Sequence, residues 1–322
     1  MENKKLTISV IVPVLNEEKN IPVLYRRLTT SLDTFNYEIL FVNDGSTDKS
    51  EDEIQKLRVK DKNVKLINLS RNFGHQMAIT CGIDHVMGDA AIIIDSDLQD
   101  PPEIIPKMII KWQEGFDVVY GVRKERKGES PLKLITANFF YALIRLLSGT
   151  KIPQNVGDFR LISRNIIEVL KTSREYQRFL RGIISWAGFK QTGINFTRDR
   201  RYAGNSKYTT FAMIKLAIDA LLSFSFLPLR IASILGLLTT TVSVGLLVYS
   251  LYVTAEGRTV RGWSSLIVTM LFLGSVQLIS LGIIGEYLGR IYEEVKSRPL
   301  YVVSKSFGLN ARSPKNKRKN QI

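Results

Sequence analysis

Asp95-Ser96-Asp97 directly follows the apolar run Ala90-Ala91-Ile92-Ile93-Ile94. Two carboxylates at i and i+2 on the end of a buried strand carry costs of desolvation and mutual repulsion. A bound Mg2+ or Mn2+ offsets both, taking carboxylate oxygens and substrate phosphates as ligands. Two other clusters have the same form. Asn16-Glu17-Glu18 follows the run Ile8–Val14, and Asn43-Asp44-Gly45-Ser46 follows Ile39–Val42. No G-x-G-x-x-G opens a helix and no G-x-x-x-x-G-K-[ST] occurs. Phosphates, if bound, are therefore expected on a divalent cation held by carboxylates. His75, His85 and the single Cys81 do not make a zinc set, and a disulfide scaffold is excluded. His75 is left to a supporting or packing role.

The elements that position these clusters follow from periodicity. β-branched runs recur at Ile8–Val14, Ile39–Val42, Val64–Leu69, Ala90–Ile94 and Val118–Tyr120, with helix-length segments at 20–32, 47–60, 75–87 and 103–115 between them. Such alternation implies an α/β fold, a mostly parallel sheet with helices on both faces. Ligands bind such sheets at the carboxyl ends of the strands, so the acidic and amide clusters converge on one edge.

The formal net charge of +15 is segregated along the chain. Residues 1–120 are net −5, residues 121–230 net +13 and residues 290–322 net +7, while 231–285 carry only Glu256, Arg258 and Arg261. The charge-free stretches Ile231–Ala255 and Gly262–Gly285 are each long enough to cross a bilayer. They read as a two-helix transmembrane hairpin with both ends cytoplasmic by the positive-inside bias. The run Ile8–Val14 reads as a strand, not a leader, because Pro13 and Asn16-Glu17-Glu18 interrupt it. Residues 131–149 and 208–226 have helix-period apolar stripes but are too short or too charged to span, and read as interfacial helices. The expected divisions are 1–130 (an α/β domain), 131–230 (an extension with the interfacial helices), 231–289 (hairpin) and 290–322 (basic tail). Nucleic-acid binding, suggested by net charge, is disfavoured by the acidic first third and the lack of aromatic-basic interleaving.

Several motifs resemble the inverting family-2 glycosyltransferases: Val12-Pro13-Val14-Leu15-Asn16-Glu17-Glu18, Val42-Asn43-Asp44-Gly45-Ser46-Thr47-Asp48 and Asp95-Ser96-Asp97-Leu98-Gln99-Asp100-Pro101-Pro102. Arg71-Asn72-Phe73-Gly74-His75, Gly157-Asp158-Phe159-Arg160 and Arg201-Tyr202-Ala203-Gly204-Asn205-Ser206-Lys207-Tyr208 are similar to the polyisoprenyl-phosphate branch, which includes bactoprenol glucosyltransferases and dolichol-phosphate mannose synthases. Asn43 departs from the usual Asp of the family. The resemblance implies a GT-A type fold, a nucleotide-diphosphate-sugar donor, a polyprenyl-phosphate acceptor and a homo-oligomer, with a tetramer as the expected form. Pro13, Asn16 and Glu18 would line the nucleotide end, Asp44 the base or ribose, Asp95 the sugar-phosphate end, and Gln99 the sugar. Asp97, with Asp95, would hold the metal. Arg201, Ser206 and Lys207 would lie in a loop over the diphosphate. Absence of a Q-x-x-R-W motif implies transfer of a single sugar.

A lipid phosphate monoester is mostly a dianion at cytoplasmic pH, so this acceptor needs no strong general base. Catalysis is then expected from positioning and charge stabilisation. Arg123, Lys133 and Arg160 are the candidates for holding the incoming phosphate. Asp158, the family's base position, becomes an orienting or electrostatic group within the catalytic set Asp97, Asp158 and Arg123. The expected reaction is inverting transfer of one hexose, glucose from UDP-glucose, on the cytoplasmic membrane face. GDP-mannose, a UDP-N-acetylhexosamine or an aminoarabinose donor are the alternatives. A non-catalytic nucleotide-sugar-binding protein is the competing class.

Overall fold

A computed structural model describes residues 6–123, 156–176, 178–197, 227–257 and 262–309. These fall into two compact units, one comprising 6–123, 156–176, 178–197 and 299–309, the other 227–257 and 262–298.

Among the described residues the first unit carries an eight-stranded sheet. Its strands are β1 (Thr7–Val14), β2 (Asn36–Asn43), β3 (Val64–Leu69), β4 (Ala90–Ile93), β5 (Val118–Arg123), β6 (Val156–Ser163), β7 (Gln191–Phe196) and β8 (Val303–Phe307). Their spatial order is β7-β5-β6-β4-β1-β2-β3-β8. β1 lies parallel to β2 and β4, β2 to β3, and β5 to β7. β6 runs antiparallel between β4 and β5, and β8 antiparallel on β3. The start of β6 therefore lies at the same edge as the ends of β4 and β5.

The helices are α1 (Ile21–Ser31), α2 (Ser50–Lys60), α3 (His75–His85), α4 (Ile105–Gln113, after a 3-10 turn at Pro102–Ile104), α5 (Arg164–Thr172) and α6 (Leu180–Trp186). They cover both faces. Ile8, Val10, Val12 and Phe41 join α1, α2 and α4 in one core through Leu24, Ile54 and Met108. Ile11, Leu40 and Ile67 join α3, α5 and α6 in the other through Ile79, Ile167 and Ile183. Burial on both faces explains why β1 reads as a nearly unbroken apolar run and not as an alternation.

The mostly parallel sheet matches the sequence expectation, and the first five strands stand where the apolar runs are. β6 and β7 were not expected, since Gly157-Asp158 and Gly193 interrupt their patterns. The expected tail, 290–322, is divided: Val303–Phe307 is a strand of the sheet. The interfacial helices at 131–149 and 208–226 lie outside the described residues, as do Lys133, Arg201, Ser206, Lys207 and the loop at 258–261.

The second unit holds two long helices packed on each other, α7 (Leu227–Ala255) and α8 (Trp263–Lys296). At 1.5 Å per residue they are about 44 and 51 Å long. Leu237, Val248, Met270 and Leu278 are exposed on them. Among the described residues one segment, Phe272–Lys296, is long and apolar enough to cross a membrane, and Ile231–Leu246 is a shorter apolar helix.

α3 carries residues of the site, and its distance from the sheet is set by Gly82. A Cβ there would lie 2.3 Å from Ile11 Cγ2. Glycine within a helix costs about 1 kcal/mol relative to alanine, yet overpacking a core costs about 1–3 kcal/mol. Gly82→Ala is therefore expected to lower the unfolding midpoint of the detergent-solubilised protein. An unchanged or higher midpoint would mean that α3 does not press on β1 at this point.

Candidate active site

Loops at the strand ends are tied to one another before any ligand is considered. Asn16 takes a left-handed backbone, φ 56°, a conformation that asparagine tolerates better than most residues. Its side-chain Oδ1 accepts from the Thr47 amide at 2.7 Å, and its own amide donates to Ser46 Oγ at 3.0 Å. Glu18 Oε2 accepts from the Lys49 amide at 3.1 Å, and the Glu18 amide donates to Asp48 Oδ2 at 3.2 Å. Pro13 sits in a central strand, where its missing N–H would break a ladder. It is tolerated because β4 ends at Ile93, and the Pro13 carbonyl accepts from Ser96 Oγ at 2.9 Å.

Asp44 was expected at the nucleotide's base or ribose. It is instead 3% exposed, and its carboxylate oxygens accept the amides of Phe73 at 2.7 Å and Gly74 at 2.9 Å. Burial outweighs these bonds and raises its pKa from the ordinary carboxylate value. Asp44 thus anchors the loop that opens α3. The loop approaches so closely that a Cβ on Gly45, at φ +73°, would lie 2.7 Å from the Arg71 carbonyl carbon.

Asp95 and Asp97 follow the end of β4. Asp97 is 8% exposed, and its Oδ1 accepts the Gln99 amide at 3.2 Å. Asp95 Oδ1 is buried with no hydrogen-bond partner among the described residues. Burial raises the Asp95 pKa; His75 and Arg123 pull it down, while Asp158 and Asp97 push it up. Asp95 Oδ1 makes no hydrogen bond and has the His75 ring nitrogen 3.4 Å away; such a buried carboxylate oxygen, beside a second carboxylate, fits a divalent cation. Among the described residues no group of three His, Cys, Asp or Glu side chains is arranged to hold a metal alone. A cation here would draw its other ligands from water or substrate phosphate, as Mg2+ commonly does.

Asp158, near the start of β6, faces Asp95 across His75. His75 Nε2 lies 3.4 Å from Asp95 Oδ1 and 3.4 Å from Asp158 Oδ2. Gln76 Nε2 donates to Asp158 Oδ2 at 3.1 Å, and Arg181 Nε lies 3.2 Å from Asp158 Oδ1. Burial alone would raise the Asp158 pKa, but Arg181 and then His75 hold it well below the usual carboxylate range. Burial alone would lower the His75 pKa, but Asp95 and Asp158 bring it up to about 9.

Arg123 ends β5, with Nη2 3.7 Å from Asp100 Oδ1. A Cβ on Gly157 would lie 2.6 Å from that Nη2, so the glycine makes room for the guanidinium. Arg160 was expected to meet an acceptor phosphate. It is instead 4% exposed, with Nη2 donating to the Gly157 carbonyl at 2.8 Å, and burial lowers its pKa to about 10. It lies two residues on from Asp158 in β6, and its positive charge helps hold that carboxyl low.

The edge therefore gathers Asp95, Asp97, Asp158 and Arg123, while Asp44 and Arg160 are buried. It adds His75, Gln76 and Arg181. His75 ends the Arg71–His75 motif, where nothing in the spacing tells a charged site residue from a packing one. Arg181 belongs to none of the recognised motifs; only its basic charge was visible.

His75 carries the sign of the pH dependence. Its folded pKa exceeds the ordinary histidine value, so its contribution to stability is complete below about 6.5 and is lost as pH rises through about 9. In chelator-treated protein, the His75 ring resonance is expected to titrate near 9, with His85 the other histidine signal. A His75 midpoint at or below 6.5 would show that Asp95 and Asp158 are not both ionised beside it.

Residues 9–171 match Glycosyl transferase family 2, and residues 227–291 match the GtrB C-terminal hairpin. The uncharacterized glycosyltransferase YkcC of Bacillus subtilis is 46% identical over 310 residues, covering 95% of this chain and 96% of the relative. The bactoprenol glucosyl transferase of Shigella phage SfII is 44% identical over 307 residues, covering 94% and 98%. A prophage bactoprenol glucosyl transferase homolog of Escherichia coli is 42% identical over 306 residues, covering 93% and 99%. With identities of this size over nearly the whole length of each relative, the chain belongs to glycosyl transferase family 2 and carries the GtrB C-terminal hairpin behind its catalytic domain.

Proposed function

We propose that this protein transfers a single glucose from UDP-glucose to a polyprenyl phosphate, with inversion, on the cytoplasmic face of the membrane. The observation that carries the reading is Asp158. Its oxygens face Arg181, Gln76 and His75, and its pKa is held low, so it makes a poor base. A site with a poor base suits an acceptor that arrives already deprotonated. A lipid phosphate, whose second pKa is near 6, is such an acceptor. The names of the bactoprenol glucosyl transferases at 42–44% identity point the same way.

In this reading a phosphate oxygen of the lipid attacks the anomeric carbon from the face opposite the diphosphate. The bond from that carbon to the diphosphate oxygen breaks, and UDP leaves. Asp97 and Asp95 would hold a Mg2+ or Mn2+ that neutralises charge on the leaving diphosphate. Pro13, Asn16 and Glu18 shape the nucleotide end, and Gln99 meets the sugar. Arg123 holds the incoming phosphate, with Lys133. Arg201, Ser206 and Lys207 close over the diphosphate, Arg by a bidentate grip and Lys as a point charge. Asp158 fixes His75 and Arg181 as the positive wall against which two anions meet.

α7 and α8 serve as the membrane hairpin, with both chain ends cytoplasmic and the protein in the inner membrane. Their exposed Leu237, Val248, Met270 and Leu278 suit a lipid surround better than water. Assembly as a homo-oligomer fits the same reading.

The test is purified protein, polyprenyl phosphate, Mn2+ or Mg2+, and a panel of radiolabelled nucleotide sugars. Lipid-linked product from UDP-glucose is expected; no lipid-linked product with any donor would defeat the proposal. Asp97→Ala is expected to lose roughly 100-fold or more in kcat, and full activity would remove the metal role.

Asp158→Asn separates the two roles of that residue. It is expected to lower kcat by about 10- to 100-fold while transfer survives above pH 7. Loss of activity at every pH would make Asp158 the general base.

A further inference from the structure

The helix that carries His75 and Gln76 is fastened at its far end as well. Asp84 lies in the last turn of α3, where the negative end of the helix dipole disfavours a carboxylate. Arg174 Nη1 compensates, donating to Asp84 Oδ1 at 3.0 Å and Oδ2 at 2.8 Å. Tyr301 OH donates to Asp84 Oδ2 at 2.7 Å. Tyr301 belongs to the segment that follows α8 in the chain and leads into β8. That segment is seated independently by the Ser70 amide on the Val302 carbonyl at 2.9 Å, and by Ser304 Oγ on the Asn68 carbonyl at 3.0 Å.

Arg174 leads into a stretch that returns to the site. Arg178 Nη2 donates to the Leu170 carbonyl at 2.7 Å and holds the bend between α5 and α6. The Leu180 amide donates to Gln76 Oε1 at 3.4 Å, and Gln76 donates in turn to Asp158. Arg181, on α6, meets Asp158 from the other side. α3 is thus tied at Asp84 to Arg174, in the stretch that precedes α6, and among the described residues Tyr301 is the contribution to that node from beyond the long helices.

We propose that Tyr301 is a positioning residue: the segment following α8 latches α3 and the 173–181 stretch together through Asp84, and so sets His75, Gln76 and Arg181 around Asp158. Burial and the neighbouring Asp84 push the Tyr301 hydroxyl up, so it stays a donor at any working pH. The inference rests on the transfer reaction proposed above for its kinetic readout, and not for its structural one.

The experiment compares full-length wild type, Tyr301→Phe and Ser304→Ala in detergent. Tyr301→Phe removes one hydrogen bond to a charged group; Ser304→Ala removes a β8 contact that does not involve α3. In Tyr301→Phe, kcat for lipid-linked glucose is expected to fall about tenfold, with donor KM unchanged and the thermal midpoint lowered by several degrees. Ser304→Ala is expected to keep wild-type kcat. Hydrogen exchange should rise at 75–86 and 178–186 in Tyr301→Phe, and only at 303–307 in Ser304→Ala. Wild-type kcat and exchange in Tyr301→Phe would overturn the latch. So would equal losses of kcat in both variants that track the thermal midpoint. If the wild type makes no lipid-linked product, the proposed reaction fails, and the exchange pattern alone decides the latch.

Discussion

Negative charge gathered at one edge of the sheet is the constraint on which the rest of this structure turns. Parallel strands end together, and here the ends of β4 and β5 and the start of β6 bring Asp95, Asp97 and Asp158 to the same edge. Ionised carboxylates so placed repel one another in surroundings that solvate them poorly. The fold answers with a histidine shared between Asp95 and Asp158, an arginine on Asp158, and the first turn of α3, whose positive dipole end begins at His75. Compensation is nearly complete around Asp158 and incomplete around Asp95. That asymmetry separates the two carboxylates into different kinds of group, Asp158 held by Arg181, Gln76 and His75, and Asp95 facing His75 with no hydrogen bond on its buried oxygen.

The hierarchy behind the site runs through one buried carboxylate. Asp44 holds the Phe73 and Gly74 amides, the loop they belong to opens α3, and α3 presents His75 and Gln76. Gly82 and Gly45 allow the close approaches this needs, of helix to strand and of loop to loop. A change at any of these positions would reach the reacting groups through geometry alone.

The alternation of apolar runs and helical segments made the parallel half of the sheet legible, because strands buried on both faces leave unbroken β-branched runs. The carboxylates after β4 were legible for the same reason: charge directly after a buried run has few structural explanations. β6 escaped because it mixes Asp158 and Arg160 with Phe159 and Leu161, and the sense of that mixture appears only once both cores exist. β8 escaped because Val303 and Phe307 alternate with Ser304, Lys305 and Ser306 in a stretch that composition assigns to a basic tail. The net charge of residues 121–230 was misleading in part. It suggested a surface for anions, yet Arg160 and Arg178 are spent inside the protein, on Gly157 and Leu170. Charge counts carry no information on which side of a strand an arginine takes.

β8 also fixes an order of events during synthesis. The sheet takes its first strand from residues 7–14 and its last from 303–307, so β3 keeps an unpaired edge until the ribosome has passed both long apolar helices. An open edge strand is a template for pairing with other chains, and domains emerge and fold from the N-terminus at about 5–20 residues per second. The catalytic domain therefore waits, for on the order of ten seconds, with one edge uncovered while the helices are made. Arrival of β8, which follows those helices in the chain, is what closes the β3 edge.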